Sequence, residues 1–104
     1  MNPIFKRGDT FVMPIEFFEV ETQQSLPIIG TLTAAVIDSH KLIHTDLVIQ
    51  LADQSLYPGK GIISCNNTSE WHTGLAYLDL KLEHNSMVKH TQDFKFYIER
   101  SIAP

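Results

Sequence analysis

Over residues 74–83 the side chains alternate in kind. Ala76, Leu78, Leu80 and Leu82 fall on one parity, and Tyr77, Asp79, Lys81 and Glu83 on the other. Successive side chains of a β-strand point to opposite faces, so this spacing predicts a half-buried strand with its even positions inward. A second run follows, with Val88, His90, Gln92, Phe94, Phe96 and Ile98 set against Lys89, Thr91, Asp93, Lys95, Tyr97 and Glu99. Asn85-Ser86 supplies turn chemistry between the two runs, which together predict a hairpin.

The rest of the chain carries the same kind of signal. Residues 4–7 predict a short opening strand, broken by Gly8-Asp9. In residues 10–21 Phe11, Met13, Ile15 and Phe17 oppose Val12, Pro14, Glu16, Phe18 and Val20. Pro14 cannot donate to a ladder, which places it at an edge or a bulge. The apolar parity switches at Phe17-Phe18, as a bulge or a change of sheet requires, so a long strand serving two neighbours is expected here. A polar loop over 22–25 leads through Leu26-Pro27-Ile28-Ile29-Gly30 to a strand over 31–38, with Leu32, Ala34 and Val36 on one face. Residues 43–51 alternate cleanly, with Ile43, Thr45, Leu47, Ile49 and Leu51 against His44, Asp46, Val48, Gln50 and Ala52 just beyond. The turn signal Tyr57-Pro58-Gly59-Lys60-Gly61, a short strand over 62–65 and a polar crossing into Trp71 complete the pattern.

About seven strands result, and no run of 11 or more residues has helical spacing; residues 69–72 allow a single helical turn. Short strands punctuated by Gly, Pro and Asn predict an all-β fold, an immunoglobulin-like sandwich of two antiparallel sheets forming one domain over residues 1–104. Trp71 is the expected largest core residue, packed where one strand ends and the next begins.

Composition narrows the function classes. A net charge of -4 from 12 acidic and 8 basic residues offers no basic footprint for nucleic acid or an anionic membrane. No stretch approaches the roughly 20 apolar residues of a membrane span, and the first nine residues hold no signal-peptide core, so synthesis and folding in a cytoplasm are expected. Cys65 is the lone cysteine, and its setting in Ile62-Ile63-Ser64-Cys65 is that of a small buried hydrophobe. Arg7-Gly8-Asp9 matches an integrin-recognised tripeptide but reads as turn chemistry. The sequons at Asn66 and Asn67 carry no meaning without export.

Five histidines, at 40, 44, 72, 84 and 90, raise a metal hypothesis. His40 and His44 would share a face only on a helix, and no H-E-x-x-H pattern or Cys partner accompanies the others, so solvated surface histidines are expected. Asp46, Asp53, Asp79 and Asp93 are the acids from which a glycosidase-like pair would be drawn. No nucleophile elbow, phosphate loop or Ser/His/Asp order is present. No catalytic, cofactor or metal residue is therefore assigned, no cofactor is expected, and binding residues are left open. Phe5, Tyr57, Tyr77 and Tyr97 fall at edges or on outward parity, where they either serve an interface or cover the ends of the sheets.

Three segments carry a resemblance: Phe5-Lys6-Arg7-Gly8-Asp9-Thr10-Phe11, Leu26-Pro27-Ile28-Ile29-Gly30, and Trp71-His72-Thr73-Gly74 followed by Tyr77 and Asp79-Leu80. In that order they resemble small β-sandwich tail and baseplate proteins of tailed bacteriophages and prophages, similar to the N-terminal domain of baseplate upper proteins. One departure lies at Ile28-Ile29, where a polar residue usually precedes the glycine. The resemblance implies a non-enzymatic virion structural protein, made in the bacterial host cytoplasm. It would be oligomeric in the assembly and docked to other phage structural proteins through sheet edges and aromatic-bearing loops, with no nucleic acid and no membrane. The alternative is a carbohydrate- or host-receptor-binding module of a phage particle, with Tyr57, Trp71 or Tyr77 stacking on sugar faces.

Overall fold

The computed structural model describes residues 3–19, 21–91 and 93–102. Val20 and Gln92, which the alternation assigns to faces, lie outside the described residues. Nine strands are present among the described residues, rather than about seven, and there is no helix. They are β1 (Ile4–Lys6), β2 (Phe11–Glu16), β3 (Thr31–Ile37), β4 (Ile43–His44), β5 (Val48–Leu51), β6 (Lys60–Cys65), β7 (Gly74–His84), β8 (Met87–His90) and β9 (Phe94–Glu99).

Two sheets form the sandwich. The larger runs β1-β9-β7-β3-β4 with β8 beside the far half of β7, and the smaller runs β2-β6-β5. In chain order β2, β6 and β5 take the places of strands B, E and D of an immunoglobulin sandwich, and β3, β7 and β9 those of C, F and G. All pairings are antiparallel except that of β1 with β9, which is parallel. The even face of β7 is core as expected: Ala76, Leu78 and Leu80 are buried, facing Phe11, Ile15, Ile63 and Cys65 of the smaller sheet in one apolar cluster.

The two extra strands come from breaks that alternation cannot reveal. The expected strand over 43–51 divides: His44 turns inward beside Val36, residues 45–47 cross the sandwich, and β5 pairs with β6 in the other sheet. The long second hairpin arm divides as well. Lys81 pairs with His90 and Leu78 with Phe94, so the register against β7 slips by one between β8 and β9. That is a one-residue bulge, and it exchanges the inward and outward parities of β8 and β9. Val88 and His90 therefore share the outer face with Lys81 and Glu83, while Phe96 and Ile98 are core. The Asn85-Ser86 turn is as expected, with φ of 50° and 65°, the pair of positive values that a type I′ hairpin loop requires.

The change of sheet expected at Phe17-Phe18 lies instead at Gly8-Asp9, between β1 and β2. Thr68, 1% exposed, pins that turn: it accepts from Gly8 N–H (2.9 Å) and donates to the Asp9 carbonyl (2.7 Å). Pro14 sits on β2, an edge strand, as its chemistry demands. After Glu16 the chain leaves the sheet, with Phe17 N–H on the Gly59 carbonyl (2.8 Å) and Leu26 N–H on the Phe17 carbonyl (2.9 Å). Gln54 holds this corner. Its Oε1 accepts from Ile28 and Gly59 N–H, and its Nε2 donates to the Ala52 and Lys60 carbonyls. Gly59 has φ of +80°, and a Cβ there would collide with the Phe17 and Leu26 carbonyls.

Trp71 is 1% exposed at the junction of the two sheets, with ring contacts to Phe5, Phe11, His44 and Phe96. Trp71→Ala should lower stability by about 3 to 5 kcal/mol, measured by urea unfolding. Gly59→Ala should cost about 2 kcal/mol or more through backbone strain and carbonyl overlap, whereas a surface substitution such as Ser69→Ala should leave the midpoint within about 0.5 kcal/mol.

Candidate functional site

The densest polar constellation is built on Asp38, just beyond the end of β3. Its residue is 2% exposed, and it is the one buried carboxylate among the described residues. Asp38 Oδ1 accepts from His40 N–H (2.9 Å) and Leu42 N–H (3.2 Å), an Asx-type closure of the turn into β4. Oδ2 accepts from His72 N–H (3.2 Å), His72 Nδ1 (2.9 Å) and His44 Nε2 (2.8 Å). An ionised carboxylate has only acceptors, so the imidazole nitrogens facing it carry the protons. The His40 ring lies flat on that of His72, centroids 3.9 Å apart and planes 14° from parallel.

Burial pushes the Asp38 carboxyl up, and the hydrogen bonds from His44, His72 and His40 outweigh it, holding the group well below the usual carboxylate range. The carboxylate thus ties three pieces of chain together: the β3–β4 turn, the inward face of β4 and the segment leading into β7. It also fixes Trp71, since His72 is the next residue. The expectation of solvated surface histidines is corrected for His44, whose side chain is 14% exposed, and for His72, at 35%. Their pairing depends on a residue 34 positions from His72, which spacing cannot reveal. The readable signal was Asp-Ser-His at the end of an alternating strand, where a short acceptor favours a turn.

Chemically, this arrangement orients two imidazoles on one carboxylate. The adjacent hydroxyl, Ser39 Oγ, donates to the Thr73 carbonyl (2.6 Å). The nitrogens that face Asp38 are donors and supply no lone pair, and among the described residues no group of three or more His, Cys, Asp or Glu side chains is arranged to hold a metal ion.

The other residues singled out by sequence lie apart. His84 contacts Asn85 at the exposed hairpin tip, and His90 pairs with Asp79 (2.8 Å) on the outer face of the larger sheet. Asp53 accepts from Ser55 within an exposed turn, which lowers its carboxyl from the ordinary value. Asp46 is exposed. Asp79 and Asp93 border one open depression of about 550 Å3 together with Ala35, Ile37, Ile43 and Tyr77. Cys65 is buried, and burial pushes its thiol up, away from thiolate chemistry. Phe5 is not an outward aromatic: it packs edge-on against Phe11 (5.3 Å) and Phe96 (6.5 Å). Trp71 is sealed from solvent and cannot stack on a sugar. Tyr57 and Tyr97 are exposed, and Tyr77 is half-buried beneath Lys95 Nζ at 5.9 Å.

Both outer faces of the sandwich carry exposed apolar side chains. On the larger sheet Ile4, Tyr97 and Ile43 are 57%, 45% and 65% exposed, and on the smaller sheet Val12, Val48 and Ile62 are 60%, 62% and 46% exposed. Comparison with protein-family models, with characterised proteins and with solved structures finds no significant match to this chain.

Asp38→Asn should cost about 3 to 5 kcal/mol, because the amide cannot accept all the donors gathered on the carboxylate. The Asp38 carboxyl is depressed in the folded state, so its contribution is complete above the ordinary value near about 4 and is lost as pH falls below it. The urea midpoint of the native chain should therefore fall between pH 5 and about pH 3, and fall less steeply in Asp38→Asn.

Proposed function

We propose that this chain is a non-enzymatic structural subunit of a tailed-bacteriophage virion, a tail or baseplate component that works by docking to other virion subunits. The observation that carries the reading is the apolar character of both outer faces. A sandwich needs one apolar face per sheet, and that requirement is met by the core. Val12, Val48 and Ile62 on one exterior, and Ile4, Ile43 and Tyr97 on the other, are surplus to it. Exposed apolar side chains on the outer face of a sheet are where a small domain meets other molecules. Surplus apolar residues on opposite exteriors suit a subunit enclosed on two sides. The resemblance of the segments at 5–11, 26–30 and 71–80 to phage tail and baseplate sandwiches supplies the class of assembly. The Asp38 network fits the same reading, since it spends its polar groups on holding loops.

Mass spectrometry of particles purified from a lysate whose phage genome encodes this chain should find it at fixed stoichiometry with tail proteins; its absence would sink the proposal. Ile62→Lys, at the centre of the smaller exterior, should leave the unfolding midpoint within about 0.5 kcal/mol and reduce incorporation into particles.

A further inference from the structure

Residues of an antiparallel strand alternate between those whose N–H and C=O face one neighbour and those that face the other. Asp38 N–H donates to the Leu42 carbonyl (3.0 Å) across the β3–β4 hairpin, which turns the even residues of β3 towards the β4 side and the odd ones towards β7. β4 reaches only Val36 and Ile37. The backbone groups of Leu32 and Ala34 therefore face a flank that no strand among the described residues occupies. A groove of about 380 Å3 runs from there over the outer face of the sheet, bordered by Thr33, Ala34, Thr45, Asp79, Lys81 and His90.

This edge is unguarded. Residues 31–35 read Thr-Leu-Thr-Ala-Ala, without the charges or proline by which edges avoid pairing, whereas the β2 edge carries Pro14 and Glu16. It is also its own complement. The two open residues flank Thr33 symmetrically, so an antiparallel copy of the segment sets Leu32 opposite Ala34 and Ala34 opposite Leu32.

We propose that the chain forms a two-fold dimer in which the β3 edges of two copies pair antiparallel about Thr33, joining the two larger sheets into one. Each Leu32 exchanges N–H···O=C bonds with the other copy's Ala34, as in strand addition generally, and the contact is isologous. Thr33 meets its counterpart on the outer face, a favourable cross-strand pair. The Lys81 side chains beside each Thr33 are three strand spacings apart, about 14 Å, beyond the screening length of roughly 8 Å. These two charges are therefore largely screened from each other. The dimer does not rest on the virion reading: it would form in solution whether or not the chain enters particles.

Sedimentation and an engineered cross-link test it on the purified chain. The native protein should sediment at twice its 11.8 kDa mass. Ala34→Pro removes an N–H that points away from β7, and should weaken dimerisation at least tenfold while the melting curve stays cooperative. Thr33→Cys should cross-link on mild oxidation, because the two Cα atoms stand about 4.5 Å apart, within disulfide range. Ser69→Cys, on an exposed loop, should not, and the native Cys65 is buried. A chain that is monomeric at about 100 µM and gives no cross-link at Thr33, or a dimer whose affinity Ala34→Pro leaves unchanged in a folded variant, would overturn the proposal.

Discussion

The fold depends on what surrounds one indole. Trp71 lies between the sheets with Phe5 and Phe96 of the larger sheet and Phe11 of the smaller around it, their ring centroids 5.5 to 6.4 Å from its own. A sandwich of this size has a thin core, and the strands that enclose it are short. Close-packed rings bury large areas from few residues and favour tilted or edge-to-face contacts, which fix the orientation of one sheet on the other. Phe5 belongs to a three-residue strand that would have little hold on β9 by backbone pairing alone. Its side chain, filling the gap between Phe11 and Phe96, gives that strand its anchorage.

Trp71 stays in place because its chain neighbour is tethered. His72 delivers both a backbone N–H and a ring N–H to Asp38 Oδ2, while His44, which donates to the same oxygen, packs its ring against Trp71 at 5.6 Å. Removing a charge from water is costly unless donors replace the solvent. Asp38 meets that requirement with five hydrogen bonds from four residues, His40, Leu42, His44 and His72. Polar satisfaction and apolar packing are thus coupled through adjacent positions, and disturbing either loosens the other.

The sequence makes some of this legible and hides the rest for identifiable reasons. The even face of β7, the burial of Cys65 and Trp71, the Asn85-Ser86 turn and the edge position of Pro14 all follow from local chemistry, which a linear reading can see. The strand count does not. Residues 43–51 keep a regular alternation while the backbone crosses between sheets at 45–47, so the pattern is continuous where the structure is broken. The bulge opposite Asp79 and Leu80 slips the register by one, and a slip leaves no mark in composition. Asp38 looks like any acidic residue after a strand; its turn partners His40, Leu42 and His44 are local, but its bonds to His72 join positions 34 apart, which only the fold brings together.

The crossing at residues 45–47 has a further structural effect. A β4 that continued along β3 would have covered the backbone of Ala34 and Leu32, and the larger sheet would have ended in a full-length strand. The chain leaves after two residues to supply β5, without which the smaller sheet would hold only β2 and β6, a two-stranded ribbon of marginal stability. The smaller sheet's third strand and the open flank of β3 are therefore two results of one connection. With β5 in place the sandwich has its second layer, and the unpaired groups of Leu32 and Ala34 are left to water or to another strand.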